Sequence, residues 1–380
     1  MVRNESPPPQ KLTEVNVRVP MNIALIKYWG KRDEYLVLPL NDSISLTVDR
    51  LQAQTTVRIN DGIGENTVKI NGKFVDLGSN RRYERVFNEA IRLQRKRSED
   101  SGRPVVSCHF SVISTTNFPV AAGLASSAAG FAAIAIGLQK LLELDDRQAN
   151  RLARIGSGSA CRSMFGGLVQ WRKGEKDDGL DCLAECVDTN VWENLCCMIM
   201  VFDDKRKKIG SSEGMRLSAE TSTLLKHRIS TVVPERIEQI KTAYAARDFK
   251  TLAEVIMADS NQFHAICLDT KPPIRYLNEA SWRVIMAIES LNKEEMRAAY
   301  TFDAGPNACV IMRREDVGEF LRSAIRFNIQ LPSNDVNELV HKIGESIVTW
   351  ICPELQADPE LPYIKCTKLI LSSTGGSPVF

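Results

Sequence analysis

The most informative stretch of the sequence is a run of small residues at 119–130 that leads directly into an Ala-rich segment. Small side chains let backbone N–H groups approach an anion closely, and the start of a helix adds unpaired donors and partial positive charge. Ser126 and Ser127 add hydroxyl groups that can contact a phosphate or bind Mg²⁺. The stretch therefore predicts a phosphate cradle, although a tightly packed Ala-rich helix without a ligand has the same composition. It does not follow the Gly-x-x-x-x-Gly-Lys-[Ser/Thr] pattern.

A second stretch, residues 22–32, places two lysines four positions apart beside two aromatic residues and a glycine. Lys27 and Lys31 have the charge to neutralise a polyphosphate. Tyr28 and Trp29 have the size to enclose an apolar part of a substrate. A solvated basic turn has a similar composition, so these residues alone leave both interpretations open.

Two further stretches carry groups suited to an acid substrate. Residues 156–163 combine Gly and Ser with Arg162, whose planar fork matches a carboxylate. A flexible loop is the alternative, but the stretch leads straight into an apolar strand. Asp303 lies between Phe302 and a Gly-Pro turn, where a carboxylate is costly to bury unless it is used or paired. A turn aspartate that only caps the Gly-Pro turn is the alternative there.

Composition limits the class of protein that can carry these groups. The 380 residues suggest two or three domains, and 43% hydrophobic residues can form a core. A formal net charge of +2 argues against a dedicated nucleic-acid binder. The 10 cysteines are too sparse for a small secreted disulfide framework, and no secretory signal opens the chain, so we expect an intracellular protein. Residues 104–139 lack charge but are interrupted by Pro119, which favours a buried helix over a membrane span.

The pattern of apolar residues predicts a mixed α+β fold with mainly antiparallel pairing. We expect a disordered arm at 1–14, an N-terminal domain with the phosphate loop at 15–195, and a C-terminal α+β domain at 196–380. The predicted strands cover residues 15–19, 43–48, 55–59, 67–74 with a turn at Asn71-Gly72, 107–113, 168–171, 195–202, 308–312 and 364–371. The predicted helices cover residues 82–96, 125–142, most of 222–292, and 317–326. His264 is interpreted as a packing histidine.

Together these stretches resemble one family. The spacing Pro-x-x-x-Gly-Leu-x-Ser-Ser-Ala at 119–128 resembles the phosphate loop of the galactokinase, homoserine kinase and mevalonate kinase superfamily. Within it the chain resembles the diphosphomevalonate decarboxylases from about residue 15 to about residue 371. The similar segments are Asn22-Ile-Ala-Leu-Ile-Lys-Tyr-Trp-Gly-Lys-Arg, Asn117-Phe-Pro-Val-Ala-Ala-Gly-Leu-Ala-Ser-Ser-Ala-Ala-Gly, Gly156-Ser-Gly-Ser-Ala-Cys-Arg-Ser, Ser211-Ser-Glu-Gly-Met, Asp259-Ser-Asn-Gln-Phe-His-Ala and Phe302-Asp-Ala-Gly-Pro-Asn-Ala.

The resemblance implies a two-domain small-molecule kinase fold with the active site in the cleft between the domains. It implies an enzyme of the mevalonate pathway that uses ATP and Mg²⁺. The expected reaction converts (R)-5-diphosphomevalonate to isopentenyl diphosphate, ADP, phosphate and CO₂ by first phosphorylating the 3-hydroxyl. A homodimer in the cytoplasm is implied, with a peroxisomal location as the alternative and no nucleic-acid or membrane partner. The rival functions are a mevalonate or phosphomevalonate kinase that stops at phosphorylation, and a ligand sensor without turnover.

The resemblance also implies roles for individual residues. Asp303 faces the 3-hydroxyl as general base or orienting acceptor, Arg162 holds the substrate carboxylate, and Lys27 lies beside the transferring phosphate. Ser127 contacts the nucleotide phosphates and Mg²⁺. The implied substrate-binding residues are Tyr28, Trp29, Gly30, Lys31, Arg81, Ser157, Gly158, Ser159, Ala160, Cys161, Arg162, Ser211 and Ser212. The implied ATP-binding residues are Asn117, Ala122, Gly123, Leu124, Ala125, Ser126 and Ser127.

Overall fold

The structure, a computed structural model, describes residues 13–62, 64–102, 107–117, 126–203, 208–343, 358 and 360–380. Two predicted features fall outside this part of the chain. These are residues 1–12 of the predicted arm and residues 118–125 of the predicted phosphate loop. Glu14, placed in the arm by the sequence pattern, is already the first residue of a strand.

The first half of the chain builds a sheet around two long strands. Its strands are β1 (Glu14–Ile26), β2 (Lys31–Asp33), β3 (Leu38–Pro39), β4 (Ser43–Asp61), β5 (Thr67–Ile70), β6 (Lys73–Phe74), β7 (Cys108–Thr116), β8 (Leu168–Trp171) and β9 (Ala184–Asp188). The sheet has the order β6-β5-β7-β4-β8-β9, and β1 pairs with β4; β2 and β3 form a separate ribbon. All pairs are antiparallel except β5 with β7.

The two strands predicted at 43–48 and 55–59 are one strand, β4. Its register against β1 jumps between Val48 opposite Met21 and Gln52 opposite Pro20. The residues between are an irregularity within the strand, where the sequence pattern had indicated a break. The Asn71-Gly72 turn is confirmed, since both residues have positive φ angles, 47° and 82°, as a tight hairpin requires.

Three helices pack on this sheet: α1 (Arg81–Asp100), α2 (Ser126–Leu142) and α3 (Asp146–Gly156). The predicted helices at 82–96 and 125–142 are confirmed within a few residues. Helix α3 was not predicted, although Asp145 and Gln148 form a capping box that marks its start. A 3-10 turn, Gly158–Met164, follows α3 and leads into β8.

The second half forms an antiparallel sheet covered by helices. Its strands are β10 (Leu195–Val201), β11 (Ala298–Phe302), β12 (Ala308–Arg313), β13 (Ile329–Gln330), β14 (Ile364–Lys365) and β15 (Lys368–Ser373), and β11-β12-β10-β15 is the order of the main sheet. Its helices are α4 (Ser211–Thr221), α5 (Thr223–His227), α6 (Val233–Ala246), α7 (Phe249–Asp269), α8 (Glu279–Leu291), α9 (Val317–Arg326) and α10 (Ser333–Ile343). A π-helical turn, Arg228–Val232, joins α5 to α6. Every residue of β10 is buried, as predicted for a central strand.

Strand β1 belongs to two hydrophobic cores. Val15, Val17 and Val19 pack in the core under α2, whereas Met21, Ile23 and Leu25 pack with α6 and α7 of the second half. The residues that follow β1 therefore lie where the two halves meet.

The predicted α+β class with mainly antiparallel sheets is confirmed. Within the described part of the chain, no helix combines the length and apolarity needed to cross a bilayer.

Candidate active site

A cavity of about 940 Å³ opens where the two halves of the chain meet. The segment after β1, the 3-10 turn after α3, the start of α4 and the turn after β11 all contribute to its wall. The predicted residues that line it are Lys27, Tyr28, Trp29, Lys31, Ser127, Ser157, Gly158, Ser159, Arg162, Ser211, Ser212 and Asp303. Residues widely separated in sequence are thus brought to one cleft.

An ion pair between Lys27 and Asp303 forms part of the cavity wall. The Lys27 Nζ atom lies 2.6 Å from Asp303 Oδ1, and the two side chains are 4% and 31% exposed. The turn that carries Asp303 is fixed by the Gly305 N–H, which donates to the Asp303 carbonyl at 2.7 Å. The Ser281 hydroxyl donates to the Pro306 carbonyl at 3.0 Å. A carboxylate is therefore held beside a cation, with part of its surface open to the cavity.

Arg162 lines the cavity, and no carboxylate of the described residues contacts its guanidinium directly. Its Nε atom donates to Asn22 Oδ1 at 3.3 Å and Ser45 Oγ at 3.0 Å, and its Nη1 atom donates to Ser43 Oγ. All three acceptors are neutral, and Nη2 makes no hydrogen bond to the residues described. Burial lowers the pKa of the Arg162 guanidinium, and the charge of nearby Asp303 is among the influences that oppose this shift. The Nη2 donors and the second N–H of Nη1 remain for a ligand carboxylate.

Aromatic side chains form the apolar part of the wall. The Trp29 indole is buried and donates from Nε1 to Ser218 Oγ at 2.9 Å. The Tyr28 ring packs edge-on against Trp171 with ring centroids 4.7 Å apart. A Cβ atom at Gly158 would lie 2.8 Å from Trp171 and 2.9 Å from Tyr28, so glycine is required at this point. Burial raises the pKa of Tyr28 well above its usual value, which keeps its hydroxyl protonated.

The start of α2 lies at another side of the cavity. Ser127 lines the cavity, and its hydroxyl is 3.2 Å from that of Ser157. The predicted ATP-binding residues Ala122, Gly123, Leu124 and Ala125 lie outside the described residues, as does the Ser126 side chain. Asn117 braces two strands, because its Nδ2 donates to the Arg50 carbonyl at 2.6 Å and its Oδ1 accepts from the Gln52 N–H at 2.9 Å. Its role with ATP stays a prediction.

The cavity wall is rich in cations and includes the start of a helix. Lys31, Lys208, Arg82 and Arg85 line it together with the first residues of α4. The N–H groups at the start of a helix point outward with partial positive charge, which favours an anion. Burial lowers the pKa of the Arg82 guanidinium. This lining is suited to two polyphosphates.

Four predicted substrate-binding residues are not brought to the cavity wall. Arg81 is exposed at the start of α1, and the helix presents Arg82 and Arg85 to the cavity instead. Ala160 and Cys161 are buried, and the Cys161 thiol donates to the Gly158 carbonyl. Gly30 adopts a φ of 91°, and its added Cβ would lie 2.6 Å from Leu40. Gly30, Ala160 and Cys161 shape the backbone around the site. Sequence reasoning missed Arg82 and Arg85, whose position depends on the rotation of α1.

The fold and this site together define a class of protein: an α+β enzyme of the small-molecule kinase type, with a cation-lined cleft and a lysine-paired carboxylate at its wall. Two family models match the chain. The mevalonate 5-diphosphate decarboxylase C-terminal domain matches residues 197–379, and the diphosphomevalonate decarboxylase-like N-terminal domain matches residues 19–184. The chain belongs to the diphosphomevalonate decarboxylase family.

Individual relatives agree with the family models. The human diphosphomevalonate decarboxylase is 44% identical over 318 residues, which cover 82% of this chain and 79% of the relative. The mevalonate diphosphate decarboxylase from Trypanosoma brucei has a structure similar to this one, with a TM-score of 0.81 and 34% identity over 96% of this chain and 97% of its own. The protein MDDEF, solved in complex with MVAPP, AMPPCP and magnesium, has a TM-score of 0.73 and 29% identity over 97% of this chain and 98% of its own.

Proposed function

We propose that this chain catalyses the ATP-dependent decarboxylation of (R)-5-diphosphomevalonate to isopentenyl diphosphate, with release of ADP, phosphate and CO₂. The observation that carries the proposal is the placement of the Lys27–Asp303 pair and the Arg162 guanidinium in one cation-lined cavity. A kinase needs the Lys27–Asp303 pair, but a decarboxylase also needs a group that holds the carboxylate that leaves as CO₂. Family membership supports the decarboxylase and not the kinase that stops at phosphorylation.

The first step is phosphoryl transfer to the tertiary 3-hydroxyl. The hydroxyl oxygen forms a bond to the γ-phosphorus of ATP while the bond from that phosphorus to the ADP oxygen breaks, and the hydroxyl proton passes to the Asp303 carboxylate. The loose transition state of this reaction needs little base strength, so orientation of the hydroxyl by Asp303 is the larger contribution. Lys27, paired with Asp303 at 2.6 Å, supplies positive charge beside the transferring group.

The second step breaks two bonds of the phosphorylated intermediate. The C3–O bond breaks with departure of phosphate, and the electrons of the C1–C2 bond form the C2–C3 double bond as CO₂ leaves. Arg162, which lines the cavity, holds the carboxylate at C1 during this step through donors that make no bond within the described residues. Trp29, Met215 and Phe263 line the cavity and exclude water from the positive charge that develops at C3.

The polar lining is matched to two polyphosphates and a cation. Lys31, Arg82 and the start of α4 at Ser211 and Ser212 would hold the substrate diphosphate, and the start of α2 would hold the nucleotide phosphates. Ser127 offers an oxygen ligand to Mg²⁺, which would neutralise phosphate charge when bound. No group of three His, Cys, Asp or Glu side chains in the described residues is arranged for a metal. A related protein is known in complex with AMPPCP and magnesium.

We also propose the organisation and location of the protein. A division into domains 15–195 and 196–380 is supported by the change of sheet between β9 and β10. The homodimer rests on the family resemblance alone. A cytoplasmic location, with the peroxisome as the alternative, is supported by the free state of the nine cysteines within the described ranges, which suits a reducing compartment.

The test is incubation with ATP, Mg²⁺ and 5-diphosphomevalonate while ADP and CO₂ are followed together. We expect equal amounts of both products. ADP without CO₂ would identify a kinase, and the absence of both would identify a protein without turnover. The Asp303→Asn variant should lose about 10²-fold to 10⁴-fold in kcat, as for a positioned acid–base group, with substrate binding retained. Near-normal turnover in this variant would refute the role given to Asp303.

A further inference from the structure

We infer that Asp259 and Ser260, neighbours on α7, are positioning residues that together set the geometry of the Lys27–Asp303 pair. The inference rests on the proposed function of that pair. It extends the site to a turn of helix whose two side chains do not line the cavity described above.

Asp259 holds the backbone of Lys27 through a buried network. The Lys27 N–H donates to Asp259 Oδ2 at 2.8 Å. Arg228 donates to both carboxylate oxygens of Asp259, at 2.7 and 3.0 Å, and from Nη2 to the Lys27 carbonyl at 3.0 Å. Asn41 Nδ2 donates to the same carbonyl at 3.0 Å. Both backbone polar groups of Lys27 are therefore fixed, and the direction of its side chain follows from them.

Ser260 holds the backbone next to Asp303, the other residue of the ion pair. Its buried hydroxyl oxygen accepts from the Phe302 N–H at 3.1 Å, and Phe302 directly precedes Asp303. Asn261, the next residue of the helix, donates from Nδ2 to the Tyr300 hydroxyl at 3.0 Å. Hydrogen bonds thus fix the end of β11 to the same turn of α7 that holds the backbone of Lys27.

One turn of helix consequently connects two strands that belong to different sheets. Asp259 binds the residue after β1, and Ser260 binds the last residue of β11, so a shift of α7 moves both partners together. The 2.6 Å distance between Lys27 Nζ and Asp303 Oδ1 therefore depends on two consecutive side chains, Asp259 and Ser260.

The burial of the charges supports a role in geometry. The side chains of Arg228 and Asp259 are both 0% exposed. A buried ion pair contributes little to stability, because removing two charges from water offsets most of their attraction. Arg228 also belongs to the π-helical turn, a local distortion that frequently occurs at functional sites.

The test compares Ser260→Ala and Asp259→Asn with two matched controls in the same half of the chain. Ser323→Ala removes a buried hydroxyl that donates to the Ala287 carbonyl at 2.7 Å. Asp316→Asn alters a buried carboxylate that accepts from Arg313 at 2.7 Å. We expect kcat of Ser260→Ala to fall about 10-fold to 10²-fold, as for a misplaced reacting group, while KM for both substrates changes less than about 3-fold. The controls should keep kcat within about 3-fold of the wild type.

A double-mutant cycle distinguishes positioning from general stability. In a protein that already carries Asp303→Asn, adding Ser260→Ala should lower kcat by less than about 2-fold. The ion pair that Ser260 positions is already altered in that background. Equal losses on both backgrounds, or an unchanged kcat in Ser260→Ala, would overturn the inference. If Asp259→Asn does not fold, the Ser260→Ala cycle alone decides.

A crystal structure of Ser260→Ala gives a readout that does not depend on activity. We expect the distance from Lys27 Nζ to Asp303 Oδ1 to exceed the range of a hydrogen bond, and an unchanged distance would also overturn the inference. A wild-type protein that releases no CO₂ would contradict the proposed function instead, and the crystallographic distance would still test the positioning.

Discussion

Lys27 Nζ and Asp303 Oδ1 lie 2.6 Å apart, although 276 positions separate the two residues in the chain. Lys27 follows β1 of the first sheet, and Asp303 follows β11 of the second. The contact therefore exists only when both sheets have formed and packed together. This cation and carboxylate lie at the wall of the cavity, and the proposed phosphoryl transfer is assigned to them.

The charge of Lys27 is tested by Lys27→Met, which keeps the length of the side chain and removes the ammonium. We expect kcat to fall by about 10²-fold to 10³-fold, because the transferring phosphoryl group loses a preorganised positive charge. Steady-state release of ADP and CO₂ is the measurement. Lys241→Met, which removes a lysine paired with Glu238 on the surface, should behave as wild type. A loss of less than about 3-fold in Lys27→Met would contradict the proposal.

Arg162 is predicted to discriminate between the two substrates of the reaction. In Arg162→Gln we expect the Kd for 5-diphosphomevalonate to rise about 10-fold to 10²-fold, the value of one charged hydrogen bond. The Kd for a non-hydrolysable ATP analogue should stay within about 2-fold, because Arg162 is assigned to the substrate carboxylate. Titration calorimetry with each ligand measures both.

The control for this variant is Arg172→Gln, which removes a half-exposed guanidinium paired with Glu185. It should leave both affinities unchanged. Equal weakening of both ligands in Arg162→Gln would indicate general damage to the cavity, and the carboxylate role would then be rejected.

The sequence was most informative where a structural element or a site residue is marked by a run of contiguous residues. The apolar run of β10 and the Ala-rich helix α2 were predicted because burial leaves a local pattern. Lys27, Arg162 and Asp303 were singled out in short segments of distinctive composition, but that composition left alternatives open. Their roles were implied by the family resemblance.

The sequence was least informative where position depends on distant partners. Strand β4 was divided at its irregularity after Val48, because a local break in alternation resembles a turn. Arg82 was missed in favour of Arg81, since the face that α1 presents is fixed by packing. The contact of Asp259 with Arg228 and the Lys27 backbone joins segments 31 and 232 positions apart, and a backbone partner leaves no mark on residue type.

Packing of α2 on the first sheet can be tested at Gly137. A Cβ atom there would lie 2.5 Å from Val57 Cγ2 and 2.8 Å from its Cβ. We expect Gly137→Ala to lower the free energy of unfolding by about 1–3 kcal/mol, because a β-branched neighbour has little freedom to move aside. Urea unfolding measures the change.

The same helix offers a matched control for this prediction. Gly130 has nothing within 4 Å of an added Cβ, so Gly130→Ala should raise stability by up to about 1 kcal/mol through helix propensity alone. Val57→Ala should relieve part of the penalty of Gly137→Ala, since it removes the two methyl groups nearest the added Cβ. Additive effects of Gly137→Ala and Val57→Ala would show that this contact is not the cause.

We expect His264 to make the stability of the protein depend on pH. The side chain is buried on α7 beside Phe263 and Phe302. Burial, followed by the charge of Lys27, lowers the pKa of His264 from 6.5 to about 3. As pH falls below 6.5, the unfolded chain takes up a proton that the folded protein does not, so the folded state loses stability until pH approaches 3. At about pH 5 this residue should cost about 2 kcal/mol relative to neutral pH.

The measurement is urea unfolding of the wild type and His264→Gln at about pH 7.5 and about pH 5. We expect the variant to lose about 2 kcal/mol less than the wild type between these conditions, because glutamine does not titrate. Titratable groups present in both proteins contribute equally to the two changes in free energy of unfolding, so their contributions cancel in the difference. His227→Gln removes an exposed histidine and should keep the wild-type dependence on pH. If His264→Gln and the wild type lose the same free energy of unfolding, the buried imidazole is not responsible for the acid sensitivity.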